Sequence, residues 1–347
     1  MSVFLSALDQ VWEPFVLILG LIFIGHASAS DGLFNSIGAR LANLPGGGVS
    51  LFVYMMVLVA VVTATLNLDT SVVFLTPILL HTARHRGVDE RAFLYGSIFM
   101  ANAASLLLLG SNLTNILVFT GRNVRGVEFT RTMLWAWITS VVITTLVVVA
   151  WNWKPLRSKV VSDKEIPPPF RIGVGLISLG VATVLMLAVR NAALPVVIVG
   201  VAAEFVEIVI LRRTTVRQST KVANVPLLAV LFALALAVAS LARVWHYPAH
   251  VMASAGTWAT GAIGAGSANV INNLPAAALL SSRLPAHPYQ LLLGLDLGPN
   301  LCVIGAMSSL LWLRIARQNG AHPSARTFSQ IGIVVTGLTL VVALAVT

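Results

Sequence analysis

Charge is scarce in this 347-residue chain: 10% of positions carry a charged side chain, against roughly 25% in soluble domains. That shortage excludes a molecule surrounded by water on all sides. Cysteine is scarcer still. Cys302 stands alone, which excludes an internal disulfide and any metal site built from clustered thiolates. Long polar segments are missing as well, the longest being KPLRSKVVSDKEIPPPFR at 154–171, so no soluble domain is expected. The start, MSVFLSALDQVWEPF, carries Asp9 and Glu13 but no basic residue, and so lacks the charge pattern of a cleaved leader.

What fills the chain instead is hydrocarbon. Hydrophobic residues make up 57% and the mean hydropathy is +0.90. Apolar runs at 14–30, 133–153, 172–190, 193–211, 225–243 and 328–347 approach or reach the roughly 20 residues that a helix needs to cross a bilayer. The expected class is an all-α polytopic membrane protein. Its net charge of +10 fits Lys and Arg gathered on cytoplasmic loops. No basic run is interleaved with aromatic residues as single-strand binders require, so nucleic acid is not an expected partner; the lipid bilayer is.

The basic residues also decide topology. If 48–83 and 250–283 are re-entrant hairpins that enter and leave on one side, most of the 22 Lys and Arg fall on one face. Only Arg122, Arg125, Arg131, Arg190, Arg243 and Arg283 fall on the other. Drawing both stretches as full crossings weakens this split, so the bias favours hairpins, with 154–171 in the cytoplasm and both termini outside. The two halves then match in order. Residues 1–153 form a first repeat with hairpin 48–83, broken helix 92–121 and closing helix 133–153. Residues 172–347 form a second, inverted repeat with hairpin 250–283, broken helix 289–317 and closing helix 328–347. The segment 154–171 links them. Three helices precede the second hairpin but one precedes the first, so two leading helices are expected to be missing from the front.

Four polar breaks interrupt these segments: NLDT at 67–70, GSNLTN at 110–115, NVINNLPAA at 269–277 and GLDLGPNLCVIGAMSS at 294–309. Hydrocarbon offers no partner to freed backbone groups, so each break must be satisfied within the protein or line a polar cavity. A lone break is as readily a kink as a site. Breaks at corresponding places in two inverted halves point to a transporter's binding site. Candidate solute-binding residues are therefore Asn67, Thr70, Ser71, Ser111, Asn112, Thr114, Asn115, Asn272, Asn273, Gly298 and Asn300. A charged group at the bilayer centre costs about 3 kcal/mol or more, which makes Asp69 and Asp296 candidate proton carriers.

Other polar residues read more plainly. Glu204 and Glu207, at i and i+3, stand near Arg212 and Arg213 and are expected to pair with them. His26, alone in its helix, is expected to be a hydrogen-bonded packing residue. His81, His85, His246 and His250 lie near membrane edges without metal-ligand spacing. GARLANL at 38–44 has the look of a short interfacial segment.

At the breaks the sequence resembles the arsenite/antimonite efflux permeases of the ion transporter superfamily. LDTSVVFLTPI is similar to that family's Asn-Asp-Gly-Ala-Ala…Thr-Pro-Ile hairpin at Asp69, Thr76 and Pro77. GSNLTNILV resembles its Ser-Asn-Leu-x-Asn break at Ser111, Asn112 and Asn115, and INNLPAAALLSS its Asn-Asn-x-Pro tip at Asn272, Asn273 and Pro275. LDLGPNLCVIGAMSSLLWLRI resembles its Asp-Leu-Gly-Pro-Lys…Ile-Gly-Ser-Leu…Leu-Trp-Leu run at Asp296, Leu297, Gly298, Pro299, Ile304, Gly305 and Trp312. Leu68 stands where the family has Asn, and Asn300 where it has Lys.

The resemblance implies a multi-pass inner-membrane carrier that exports arsenite or antimonite against inward protons, with no cofactor. It also implies that a cytosolic ATPase subunit can associate, while the oligomeric state stays open, a homodimer among the options. Sister families carry sodium-coupled dicarboxylates, citrate or sulfate, or exchange sodium for protons, and these are the alternatives. Two buried acids repel a dianion with little screening, which favours a neutral or cationic solute. Cys302, beside the fourth break, is a minor candidate as a metalloid ligand and more ordinarily a small packing residue. An intramembrane aspartyl protease would need paired carboxylates within hydrogen-bond reach, and the sequence lacks a Gly-x-Gly-Asp signature, so no enzyme activity is expected. A channel is a further alternative, though broken helices around a closed site suit a carrier better.

Overall fold

A long apolar helix, α1 (Val3–Ser30), runs through one side of the protein, and every other element of the fold is helical too among the residues described in the computed structural model, 3–157 and 166–347. After it come α2 (Leu33–Ala42), α3 (Gly48–Thr65), α4 (Leu68–His85) and α5 (Glu90–Ala104). A 3-10 turn at Leu109–Ser111 then leads to α6 (Leu113–Phe119), α7 (Gly126–Trp151) and the one-turn α8 (Trp153–Leu156). The greater part of 154–171 follows, and residues 158–165 of that linker lie outside the described residues.

The second part contains α9 (Val174–Ala188), α10 (Ala193–Phe205) with a π-helical extension over Val206–Ile210, α11 (Val216–Ala223) and α12 (Val225–Val244). It continues with α13 (Tyr247–Ser254), α14 (Thr257–Ile271), α15 (Asn273–Leu280) and α16 (Pro288–Leu297). Two 3-10 turns, Gly298–Leu301 and Val303–Gly305, precede α17 (Met307–Gln318) and α18 (Ala325–Val346). Among the described residues six stretches are long and apolar enough to cross a bilayer: Val3–Ser30, Gly48–Thr65, Gly126–Trp151, Ala193–Ile210, Val216–Val244 and Ala325–Val346. Large apolar side chains such as Val184, Ile198, Val230 and Leu241 are exposed on α9, α10 and α12; in hydrocarbon solvent that exposure carries no penalty.

The sequence-level element boundaries need two corrections. The stretch 250–283 is not one hairpin: α13 is a separate short helix, and the pair that folds back is α14 and α15, the latter only two turns long. The apolar run 14–30 is likewise part of a longer helix that starts by Val3, because Asp9 and Glu13 lie at an end of the span where polar side chains cost little.

Each folded-back pair packs on the broken helix that follows it, α3 and α4 against α5 and α14 against α16. The α14–α16 crossing is very close. A Cβ added at Gly294 would lie 2.1 Å from Gly261 O, and one at Gly298 would lie 2.6 Å from Ala265 Cα. Small residues thus bring two backbones together where lipid supplies no hydrophobic drive. α7 and α18 pack on each other, and both touch α5. Trp312 on α17 is fully buried, donates its indole N–H to Leu94 O at 3.0 Å, and packs against Tyr95 and Phe328. That contact ties the second half of one broken helix to the first half of the other.

Candidate functional site

Each break is built around the backbone groups it frees. At the first, α3 stops at Thr65 and Asn67 caps α4, its Oδ1 accepting from Thr70 N at 2.7 Å. Thr63 donates to Ser71 Oγ at 2.7 Å across the turn and locks the two arms. At the second, α5 ends; the Leu108 carbonyl keeps only the 3-10 bond from Ser111 N at 3.1 Å, and side chains supply further donors to it and to the Ser105 carbonyl. Ser111 Oγ lies 2.5 and 2.6 Å from these two oxygens, and Asn115 Nδ2 lies 2.8 and 3.2 Å from them. Ser111 and the amide of Asn115 are thereby taken up by the turn itself.

At the third break Asn272 adopts φ 72° and its Oδ1 receives Leu274 N at 3.4 Å. With ψ 149° the backbone lies in a region essentially reserved for glycine, so Asn272 itself is strained there. The Asn272 amide reaches across to Ile304 O at 3.0 Å, so the hairpin tip is fastened to the fourth break. The fourth break is secured further by Asn269, which donates to Gly298 O at 2.8 Å, and by Thr336 of α18, which donates to Leu297 O at 3.2 Å. Gly298 serves close packing against α14.

Two hydrogen-bonded bridges join the second and fourth breaks, which are far apart in sequence. Asp296 is 1% exposed, and its Oδ1 accepts from Asn112 Nδ2 at 3.0 Å and from Thr114 Oγ1 at 2.5 Å. Asn102 Nδ2 donates to Asn300 Oδ1 at 2.7 Å. Several atoms of the cluster are buried without a partner: Asp296 Oδ2, Asn102 Oδ1, Asn115 Oδ1 and Asn300 Nδ2. Unpaired buried polar atoms are costly, and several converging from two broken helices leave room for a bound species to satisfy them. No Lys or Arg is hydrogen-bonded to this cluster among the described residues, so the carboxylate of Asp296 has no fixed counterion.

The hairpin-tip residues are placed differently. Asp69 is half-buried, has no hydrogen bond among the described residues, and lines a cavity of about 310 Å³. Ile22 of α1, Thr70, Phe74, Lys221, Asn224 and Met307 share that cavity. No hydrogen bond links Asp69 to Asp296 among the described residues, so the two acids do not form a dyad. Asn67 and Ser71 are buried within their own hairpin, and Asn273 is buried at the start of α15 with no bond to the Asp296 cluster. Cys302 is half-buried between the two 3-10 turns. Among the described residues no group of three or more His, Cys, Asp or Glu is arranged to hold a metal.

Three residues in or beside this cluster had escaped the reading of the breaks: Asn102, Ser105 and Asn269. Asn102 and Ser105 lie in MANAAS, where small residues surround them, and Asn269 is the first residue of the third break, passed over for Asn272 and Asn273. A polar amide inside a membrane helix was the available signal. Of two further expectations one holds: His26 is buried and hydrogen-bonded, its Nδ1 2.5 Å from Glu204 Oε1 on α10. The other is corrected. Glu204 therefore faces His26 rather than an arginine, while Glu207 approaches Arg213 at 3.8 Å and Arg212 pairs with neither.

Comparison with known proteins adds the following. The model of a family described as Citrate transporter matches residues 3–303. The arsenical pump membrane protein of Escherichia coli (strain K12) is 26% identical, over 96% of this chain and 86% of its own length. An uncharacterized transporter of Mycobacterium tuberculosis (strain ATCC 25618 / H37Rv) is 25% identical, over 95% of this chain and 84% of its own. A silicon efflux transporter of Oryza sativa subsp. japonica is 28% identical over 43% of this chain and 32% of its own. Among solved structures, the Alcanivorax borkumensis YdaH transporter superposes with a TM-score of 0.60 at 14% identity, covering 99% of this chain and 86% of that one. That last likeness is one of fold.

Proposed function

The chain belongs to the citrate transporter family, and from that premise we propose that this multi-pass membrane transporter is a proton-coupled exporter of arsenite or antimonite, carried as the neutral trihydroxide. The observation that carries the reading is the Asp296 cluster. It offers amide and hydroxyl groups and several unpartnered polar atoms, with no cation hydrogen-bonded among the described residues. A multiply charged anion such as citrate would meet a buried carboxylate and no compensating charge, a repulsion that low dielectric magnifies. A small neutral polyol-like hydroxide meets donors and acceptors that match its own.

In this reading Asn112, Thr114, Asn115 and Asn300 contact the hydroxyls, joined by Asn102, while Thr70 faces the Asp69 cavity and Asn67, Ser71, Asn272 and Asn273 hold the hairpin tips in shape. Ser111 and Gly298 hold the two breaks in shape. Asp69 and Asp296 bind and release the coupling proton, one at a cavity and one within the cluster. The parts 1–153 and 172–347 act as two inverted repeats that rock about the site, giving alternating access. The cell inner membrane is the expected location, with the face that carries Arg213, Arg217 and Lys221 in the cytoplasm. The arsenical pump relatives support the cargo, and the silicon efflux relative supports it in the same way, since both elements form small neutral hydroxides in water.

The test is arsenite uptake by everted vesicles. Uptake that requires an inside-acid gradient, and that Asp69→Asn and Asp296→Asn abolish, is the expected result; no uptake under any gradient overturns the cargo. One observation favours a second reading of the coupling ion. Four buried oxygens without partners, on Asn102, Asn115, Asn269 and Asp296, are the hard ligands a sodium ion prefers. Replacing sodium with choline separates the two: uptake that persists supports protons, and uptake that stops supports sodium.

A further inference from the structure

The cavity beside Asp69 does not match the cargo proposed above. Its walls are apolar: Ile22 of α1, Val73 and Phe74 of α4, Leu228 and Leu231 of α12 and Leu311 of α17 border about 310 Å³ of space. A small neutral hydroxide needs hydrogen bonds on every side, which the Asp296 cluster offers and these side chains do not. An apolar cavity of about 150 Å³ already holds a benzene ring, so this one has room for a ring and a short arm. Phe74 is fixed in place for such a guest, stacked on Phe34 with 5.6 Å between centroids.

The polar groups of the cavity are few, and they indicate which guest it takes. Asp69 has no hydrogen bond among the described residues. Its neighbour Thr70 is 3% exposed, and the Thr70 hydroxyl oxygen is buried without a partner. A buried hydroxyl left unpaired is costly, and here it stands beside an acid that also lacks a partner. Lys221 is the one exposed residue of the lining, so its charge is already met by water. The unmet groups therefore include two acceptors, side by side in the first turn of α4.

We propose that the Asp69 cavity is a binding site for a lipophilic primary amine, its amino group on Asp69 and Thr70 and its apolar body between α4, α12 and α17. Amine and carboxyl share one proton whichever of them holds it, so the pair brings no net charge into the interior. A protonated amine has three donors, enough for both side chains. An alcohol of the same shape fills the same walls but cannot form an ion pair, and a carboxylate of the same shape is repelled by Asp69. The occupant touches both parts of the chain, since α1 and α4 belong to the first and α12 and α17 to the second. It also takes the place of the coupling proton on Asp69 and so stops export. That consequence rests on the carrier reading; the binding does not.

The site can be tested without any transported solute, so it and the export reading fail separately. In a Cys302→Ser chain, otherwise free of cysteine, Leu228→Cys places one thiol in the cavity wall. The purified full chain in lipid nanodiscs is treated with a neutral methanethiosulfonate. Its labelling rate is read against the concentration of phenethylamine, phenethyl alcohol or phenylacetate. The amine should halve the rate at a concentration about tenfold or more below that of the alcohol, and phenylacetate should protect least. Asp69→Glu should keep the amine's advantage. Asp69→Asn should remove it while protection by the alcohol persists, which shows the cavity still formed; Leu231→Trp should abolish protection by both. Equal protection by amine and alcohol in the parent marks a cavity for any apolar guest, lipid tails included, and overturns the proposal. So does an amine advantage that survives Asp69→Asn, or phenylacetate protecting best, which would put charge recognition at Lys221.

Discussion

Asp296 lies at the meeting of two broken helices, 1% exposed and bonded to Asn112 and Thr114 from the other half of the chain. Asp69 lies at a hairpin tip, half-buried, facing a cavity and bonded to nothing among the described residues. Both are acids in membrane segments, and a sequence reading treats them alike. The structure separates them. One acid is part of the scaffold that joins the two parts of the chain, so changing it risks both folding and transport. The other has no hydrogen-bond partner among the described residues, so changing it should spare the fold and touch only what the cavity does.

The largest effect is expected at Asp296. Asp296→Asn keeps an acceptor for Asn112 and Thr114 but removes the charge, and arsenite export should fall to background in everted vesicles while thermal unfolding in detergent barely moves. Asp296→Ala also strands two buried donors and should cost about 1–3 kcal/mol of stability. Asp69→Asn should likewise cut export at least about tenfold, yet alter stability by no more than about 0.5 kcal/mol, as for a residue without partners. If Asp69→Asn unfolds as readily as Asp296→Ala, the contrast between the two acids is wrong.

Gly332 on α18 sharpens the contrast from outside, because an added Cβ would lie 1.7 Å from Asn300 O. Gly332→Ala should displace the fourth break and cost about 1–3 kcal/mol by overpacking, with export reduced. Gly337→Ala, five residues on with no atom within 4 Å of its added Cβ, is the control and should leave both unchanged. Asn102→Ala removes one bridge between the breaks and should cost about 0.6–1.7 kcal/mol, the range of hydrogen bonds within membranes, with arsenite affinity weakened a few-fold. Cys302→Ser should be smallest, leaving export within about twofold if a single thiol is an ordinary packing group. A loss of tenfold or more would mean that the thiolate binds the metalloid.

The breaks were legible because polar residues inside apolar runs are rare and expensive, so NLDT, GSNLTN, NVINN and LDLGPN announced themselves. What the residues do within each break was not. Ser111 and Asn112 are neighbours in sequence, yet Ser111 is taken up by the carbonyls of its own turn while Asn112 crosses to Asp296. Asn102 went unread because it sits about two turns before GSNLTN, in an otherwise regular stretch of α5. That His26 is hydrogen-bonded was legible but its partner was not, because Glu204, 178 positions away, is brought to it only by the packing of α10 on α1.

The sequence by itself determined that the chain is helical, lives in lipid and is interrupted at four places, since burial of backbone in hydrocarbon permits little else. The tertiary structure decided which interruptions meet. Hydrogen-bond partners of Asp296, Asn300 and Glu204 come from distant helices whose approach depends on small residues and close packing. No local pattern along the chain encodes that approach.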